Sequence, residues 1–587
     1  MRKLFKNLTT KDKVIIFIVT LIIVFQVWVE LRLPDFMSEI TKLIQTDGSK
    51  MSEILEQGGY MLLCAFASMF TAIIVGYLVS GISAGFSLKL REKLFKKVQK
   101  LDVASIRKIS TPSLITRTTN DVTQIEMLIA LGLQVLIKAP IMAIWAITKI
   151  INRSYQLSAI VGAGVIILLI TIFTIMYHVT PKFKKVQKLT DDVNNVTRDN
   201  IIGVRVIRAF NAEKFHRDKF EKTNDKLTRT NIYIQKCFAF MSPIMNLVMH
   251  FLTLGIYFIG AIIMINATMV DKLNLFSNMV VFTSYGMQVI ISFLLLSMIF
   301  MILPRAQVSA NRINEVLDTE VDIKDGDKTK EDKKEEGTIE FKNVSFKYPD
   351  ADEYLLDDIS FKVKKGETVA FIGSTGSGKS TLINLIPRFY DISKGEILVD
   401  GINVKDYKLE ELHNIIGYVP QKAFMFTGSI KENVAFGDNG KEEPSLQKIM
   451  ESVQVAQAKE FIKDMPKGVD SHLARGGTNI SGGQKQRVSI ARVIARDPEI
   501  YIFDDSFSAL DYQTDSKLRK ELKSYTKDAT MLIVAQRIGT ILNADKIIVL
   551  DKGKCVGIGT HKELLKNCDI YKEIALSQLS KGELENA

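Results

Sequence analysis

Three short stretches of this 587-residue chain carry residue types and spacings that can hold the phosphates of a nucleotide. The first is GSTGSGKST, Gly373 to Thr381, entered from the apolar run TVAFI and followed by LINLIPRFY. It matches G-x-x-x-x-G-K-[ST] in the strand, loop, helix setting that such a loop requires. Gly373, Gly376 and Gly378 let the backbone of Ser374, Thr375 and Ser377 close around phosphate at a helix start. Lys379 reaches the terminal phosphates, and the Ser380 hydroxyl next to Thr381 can ligate Mg²⁺. The second stretch is YIFDD, in which apolar strand residues lead to Asp504, placed to hold the metal, and to Asp505, placed to activate the attacking water. The third is NISGGQKQRVSIAR, where Gly482 and Gly483 after Ser481 form a backbone nest opening a helix. One nucleotide hardly needs two phosphate-binding devices from one chain. The economical arrangement is two copies of the domain, each closing its Ser481–Gln484 segment on the phosphate loop of the other.

These stretches need elements to position them, and the chain divides into two kinds. Hydrophobic residues make up 47% and are concentrated before residue 305, while the remainder alternates strand and helix patterns from IEFKNVSFKY onward. Six segments have roughly the twenty apolar residues needed to cross a bilayer: 14–36, 59–84, 129–150, 157–179, 239–265 and 275–303. The first is longer than a signal-peptide core and lacks a small-residue cleavage site, so it is expected to be retained. The long connections, 85–128 and 180–238, are basic with Leu and Phe returning at helical spacing, as in SLKLREKLFKKVQKLDV. Each reads as a pair of helices running into the cytoplasm, with a tip, 110–122 or 201–213, that docks on a soluble domain. Arg208 and Phe210 are the anchors of the second tip. The run DGDKTKEDKKEEG, 325–337, has no apolar face to bury and reads as a linker.

The net charge of +12 lies in the flanks of the apolar runs, as positive cytoplasmic loops do, so nucleic acid is not expected as a partner. Cys64, Cys237, Cys555 and Cys568 lack ligand or disulfide spacing and read as free thiols. Within the spans, Gln26, Trp28, Glu30, Asn246, His250, Tyr285 and Gln288 are expected to face a bundle interior or cavity, because polar groups are costly in hydrocarbon. Met279, Met287, Met298 and Met301 are either an adaptable cargo surface or a packing face.

The ordered set of motifs resembles an ATP-binding cassette (ABC) exporter half-transporter, and the resemblance covers nearly the whole chain. It implies an all-α six-helix transmembrane domain (1–318), a charged linker (319–337) and an α/β P-loop nucleotide-binding domain (338–587). It implies ATP and Mg²⁺ as cofactors, with Tyr348 stacking on adenine and Gln421 in the Q-loop contributing to the metal site with Ser380 and Asp504. Ser481, Gly482, Gly483 and Gln484 would be the signature, and Ser508 to Asp511 the D-loop. Three positions depart from the family pattern: Asp505 stands for the catalytic Glu, Gln536 for the switch His, and Arg475 for an acidic residue before the signature, while Ile480 replaces a usual Leu. An Asp base is one methylene short and Gln cannot relay a proton. Asp505 is therefore either a mild variant or the mark of a site that holds ATP and hydrolyses it slowly.

With its signature intact, the chain resembles the degenerate-site subunit of heterodimeric bacterial multidrug exporters. The expected function is ATP-driven export of multidrug, lipid-like or amphipathic compounds across the cytoplasmic membrane, beside a homologous partner supplying the competent base. The N-terminus and the nucleotide-binding domain are expected to be cytoplasmic. A homodimer with slow ATPase and an ATP-gated regulatory or channel-like membrane protein are the alternatives. A peptide exporter with a processing protease is less expected, since no domain precedes the first span.

Overall fold

A computed structural model describes residues 2–6, 8–46, 48–151, 154–265 and 268–579. The chain forms two compact units: Met1–Lys100 with Ile109–Thr319, and Leu101–Lys108 with Glu320–Ala587.

Among the described residues of the first unit, six helical segments are long and apolar enough to cross a membrane: Thr10–Gln45, Met51–Lys100, Thr111–Ile151, Tyr155–Ile202, Glu213–Ile265 and Asp271–Asp318. The helix Met51–Lys100 is unbroken over 50 residues, about 75 Å at 1.5 Å per residue, so it runs well past its own apolar stretch. A polar network ties the first three spans to the sixth. Glu30 Oε1 accepts from Gln26 Nε2 at 3.0 Å, Ser68 Oγ at 2.9 Å and Lys138 Nζ at 2.8 Å. Asp35 accepts from Lys149 at 3.0 Å and from the fully buried Tyr285 hydroxyl at 3.0 Å. Gln288 Nε2 donates to Glu30 O at 3.5 Å. Several other residues singled out within the spans lie on the surface of the single chain. Trp28 lies exposed, stacked on Phe25 and covered by Arg32, and Asn246 and His250 are exposed on the fifth span. Met279 packs tightly against Gly260, Met287 and Met298 lie on the surface, and the Met301 side chain is outside the described residues.

The two expected tips differ. The segment around 110–122 is fastened to the sixth span within its own unit. Arg117 is buried, donates to Arg312 O at 2.9 Å and pairs with Glu315 at 2.9 Å, and Asp121 accepts from Ser309 Oγ at 2.8 Å. It is Leu101–Lys108, earlier in the same connection, that belongs to the soluble unit. In 110–122 Arg117 and Asp121 are engaged with the sixth span, whereas Val103 and Ala104 offer an apolar face that packs on the soluble core. The second tip leaves Ile201, Ile202, Val206 and Phe210 exposed.

Among its described residues the soluble unit holds two larger sheets and one short strand pair. Strands β1 (Ile339–Phe346), β2 (Leu356–Val363), β4 (Lys394–Val399) and β5 (Ile402–Asn403) form an antiparallel sheet in the order β2-β1-β4-β5. Strand β3 (Thr368–Gly373) enters a second sheet with β6 (Ile416–Val419), β9 (Ile500–Asp504), β10 (Thr530–Val534), β11 (Lys546–Asp551) and β12 (Lys554–Gly559). Its order is β12-β11-β3-β10-β9-β6, with only β12 antiparallel to its neighbour. The short pair β7 (Gly428–Ser429) and β8 (His472–Leu473) stands apart. Strands β9 and β10 are buried throughout, as continuous apolar parallel strands are when both faces are covered.

The charged run expected to be a linker is fixed to this unit. Gly326 N and Lys328 N donate to Tyr407 O and Asp406 O at 3.0 and 2.9 Å, and Leu409 N donates to Asp325 at 2.7 Å. Lys333 bridges Glu499 at 2.6 Å and Asp400 at 3.2 Å. Lack of an apolar face did not leave this run free, because its backbone and charges found polar partners. Burial pushes the Asp400 carboxyl above its ordinary range, against the pull of the Thr338 N–H and Lys333. Removing Lys333 leaves a fully buried carboxyl without its cation, so Lys333→Met is expected to cost roughly 3 kcal/mol. Adding Asp400→Asn should return most of that loss, as read by denaturant unfolding of the full-length chain.

Candidate functional site: a phosphate pocket at the strand ends

The pocket lies where β3, β10, β9 and β6 end together, at the carboxyl edge favoured for ligands in open α/β sheets. Strand β3 delivers the phosphate loop. Gly373 has φ 155° and a Cβ there would stand 1.9 Å from Leu550 O, so only glycine fits. Gly378, at φ 94°, caps the helix Lys379–Leu385, and its hydrogen faces Leu356 where a Cβ would come within 2.6 Å. Lys379 is buried, and its ammonium donates to Gly373 O at 2.9 Å and Ser374 O at 2.8 Å. It is thus folded onto the loop it belongs to with two of its three N–H donors on carbonyls, and an arriving phosphate competes for these or takes the third. Burial pushes its ammonium below the usual lysine range, which nearby Asp505 and Asp504 oppose.

Strand β9 brings the carboxylates. Asp504 Oδ1 accepts from Ser380 Oγ at 2.8 Å, and Asp504 Oδ2 lies 3.4 Å from the Tyr418 hydroxyl, which also donates to Asn384 at 2.9 Å. Burial raises the Asp504 carboxyl above its ordinary value, and the Ser380 bond opposes this. The next residue turns into the left-handed region, Asp505 at φ 47°, with its N–H still bonded to Val534 O at 3.0 Å. Its Oδ2 accepts from Gln536 Nε2 at 2.8 Å and from Gln421 Nε2 at 3.2 Å. The two sequence departures, Asp505 and Gln536, are therefore bonded to each other. Gln421, expected near the metal, donates an amide N–H to Asp505 and lines the same pocket as Ser380.

A cavity of about 290 Å³ is lined by Thr375, Gly376, Gly378, Lys379, Ser380, Thr381, Gln421, Asp505 and Gln536, together with Leu355 and Val534. No signature residue is among its described lining. Ser481 instead caps the helix Gly482–Arg496 in a reciprocal pair with Gln484, Ser481 N donating to Gln484 Oε1 at 2.8 Å. A Cβ on Gly482 would meet nothing within 4 Å, so this surface is open in the single chain. Asp511 caps the helix Tyr512–Tyr525 through Thr514 N at 2.9 Å, which holds its exposed carboxyl below the ordinary value. Tyr348 shares a 2.9 Å hydrogen bond with Thr381 at the phosphate-loop helix. Arg475 is exposed, and nothing in the structure explains its departure from the family pattern.

Sequence reasoning gave Tyr418 no role, although it stands in the YVPQ stretch that supplied Gln421. Its place on β6, the strand beside β9, was the missing information. Arg107, which the structure puts over Tyr348, also went unnoticed because 241 residues separate them in the chain.

Residues 16–293 match the family described as ABC transporter transmembrane region, and residues 356–508 match the family ABC transporter. An uncharacterized ABC transporter ATP-binding protein of Mycobacterium tuberculosis (strain ATCC 25618 / H37Rv) is 38% identical over 526 residues, 89% of either chain. The similarly described YfiB of Bacillus subtilis (strain 168) is 36% identical over 90% of each. An ATP-dependent lipid A-core flippase of Pseudomonas syringae pv. tomato is 31% identical over 85% of this chain and 81% of its own. A solved bacterial Atm1-family ABC exporter with ATP bound has the same fold, with TM-score 0.82 and 22% identity over 97% of this chain and 99% of that one. With six spans, a phosphate pocket at the strand ends and both family regions present in order, the chain belongs to the ABC transporters, as a multi-pass membrane exporter half that binds ATP and couples its ATPase domain to transport.

Proposed function

We propose that this chain is one subunit of a heterodimeric exporter of hydrophobic or amphipathic compounds, multidrug or lipid-like, in the cytoplasmic membrane. Its own phosphate site holds ATP with Mg²⁺ and hydrolyses it slowly, while its signature closes the competent site of the partner. The observation that carries this reading is the bonding of Asp505 Oδ2 to both Gln421 and Gln536. A general base must reach the water it activates. Here a short carboxylate is drawn to two amides, and neither amide can take up a proton.

The residues present suit Mg²⁺. The Ser380 hydroxyl and the Asp504 carboxylate are adjacent hard oxygens 2.8 Å apart. Among the described residues no cluster of three or more His, Cys, Asp or Glu could hold a metal by itself, which fits an ion that takes few protein ligands and completes its shell with phosphate and water. When bound, the ion would neutralise charge on the terminal phosphates. Lys379 and the loop N–H groups bind and orient those phosphates. The cargo reading draws support from a cavity of about 1400 Å³ within the transmembrane unit, where Leu133, Ile137 and Phe238 meet Gln124, Gln187 and Gln235. Apolar walls that also carry amides and the charged Asp121, Arg305 and Arg312 suit an amphipathic guest, and the relative named as a lipid A-core flippase is in keeping with one.

Purified alone, the chain is expected to hydrolyse ATP slowly, and Asp505→Glu combined with Gln536→His should raise the rate tenfold or more. This is a modest share of the roughly 10²- to 10⁴-fold value of a positioned general base. Fast turnover by the unaltered chain, abolished by Lys379→Ala, overturns the slow-site reading and leaves a homodimeric exporter.

The exposed tip at 201–213 is assigned as the docking element for a soluble unit, with Phe210, 78% exposed, and Arg208 as its anchors. Phe210→Ala and Arg208→Ala should leave nucleotide affinity unchanged and lower transport per ATP hydrolysed in proteoliposomes that also contain the partner. Equal coupling ratios in both variants and the parent remove the assignment.

A further inference from the structure

Tyr348 stands in a corner of aromatic rings, edge-on to Phe346 at 5.0 Å and to Tyr390 at 5.3 Å, with interplanar angles of 80° and 89°. Over this corner lies Arg107, its guanidinium carbon 6.0 Å from both tyrosine centroids. The side chain is exposed and, among the described residues, forms no ion pair. Its position is built by the surrounding segment. Asp102 caps Ser105 N at 2.6 Å and accepts from Asp322 N at 3.3 Å, while Val103 and Ala104 pack on the cluster that includes Phe346 and Tyr390. That segment, Leu101–Lys108, belongs to the soluble unit, yet in the chain it joins the helix ending at Lys100 to the helices leading into the third span.

We propose that Arg107 is a positioning residue that holds Tyr348 for adenine stacking and passes occupancy of this nucleotide site into the second and third spans. The proposal rests on Tyr348 being the adenine-stacking ring. A base laid on Tyr348 excludes water from the corner, and desolvation strengthens the attraction between a guanidinium and an aromatic face. The gain is reciprocal: whatever occupancy adds to the hold on Leu101–Lys108, that hold adds to nucleotide affinity. A site that binds ATP and turns it over slowly needs a readout of binding itself, and this contact supplies one.

The test uses the full-length chain in nanodiscs. ATP and inorganic tripolyphosphate, which has the phosphates and no base, each displace a ribose-labelled fluorescent ATP. Arg107→Ala is expected to weaken ATP about two- to fivefold and to leave tripolyphosphate unchanged, with Arg107→Lys in between. Tyr348→Ala should weaken ATP at least as much. Hydrogen exchange over residues 101–109 should slow on ATP addition in the parent and not in Arg107→Ala. If Tyr348→Ala weakens ATP and Arg107→Ala does not, Arg107 lacks this role. Equal weakening toward tripolyphosphate makes the segment a general support and overturns the proposal. Unchanged exchange on ATP addition overturns the transmission step. Unchanged ATP affinity in Tyr348→Ala removes the adenine assignment and the proposal with it.

Discussion

The parallel register of β3, β10, β9 and β6 is the constraint on which the nucleotide site depends. Val534 pairs with both Phe371 and Asp504, and Val419 pairs with Phe503. The four chains therefore run out of sheet at one level. Phosphate loop, Gln421, both aspartates and Gln536 all leave from that level. A one-residue slip would turn each side chain to the opposite face and carry Asp504 away from Ser380. Alternate residues of β9 and β10 enter two different cores, Tyr501, Phe503, Met531 and Ile533 in one and Ile500, Ile502, Leu532 and Val534 in the other, so a slip would exchange aromatic and aliphatic side chains between two packed layers.

The transmembrane unit answers to a different constraint. In hydrocarbon each polar group needs an internal partner, and Glu30 meets this with three donors from three helices. Asp35, Lys149 and Tyr285 repeat the device nearby. Ionisable residues in a membrane are conventionally suspected of handling cargo. Here their oxygens and ammonium groups are taken up by one another, and the effect is to hold the first, second, third and sixth spans together.

At the phosphate pocket the charged groups are likewise spoken for before any nucleotide arrives. Lys379 is bonded to the loop's carbonyls, Ser380 to Asp504, and Asp505 to two glutamine amides. Phosphate competes for the Lys379 donors because it offers a stronger, charged acceptor than a backbone carbonyl.

Six spans, the α/β class of the soluble unit and the phosphate loop could be read from the chain itself. Each rests on a local rule: bilayer length for the spans, strand and helix periodicity for the fold, glycine spacing for Gly373 to Gly378. The departures Asp505 and Gln536 were also visible, as residue types at motif positions. That they bond to each other, with Gln421 as a third member, was decided by the order β3-β10-β9-β6, which no local pattern encodes. The same holds for the charged run 325–337, whose composition predicts a free linker and whose Lys333 finds Asp400 and Glu499 far along the chain. Arg107 over Tyr348 and the locking of 110–122 onto the sixth span belong there too. Sequence specified what each segment could form by itself, through dihedral preference and apolar spacing. Which charged and polar groups meet required the tertiary fold, because a cation or an amide can satisfy many partners and only packing of the apolar elements selects one.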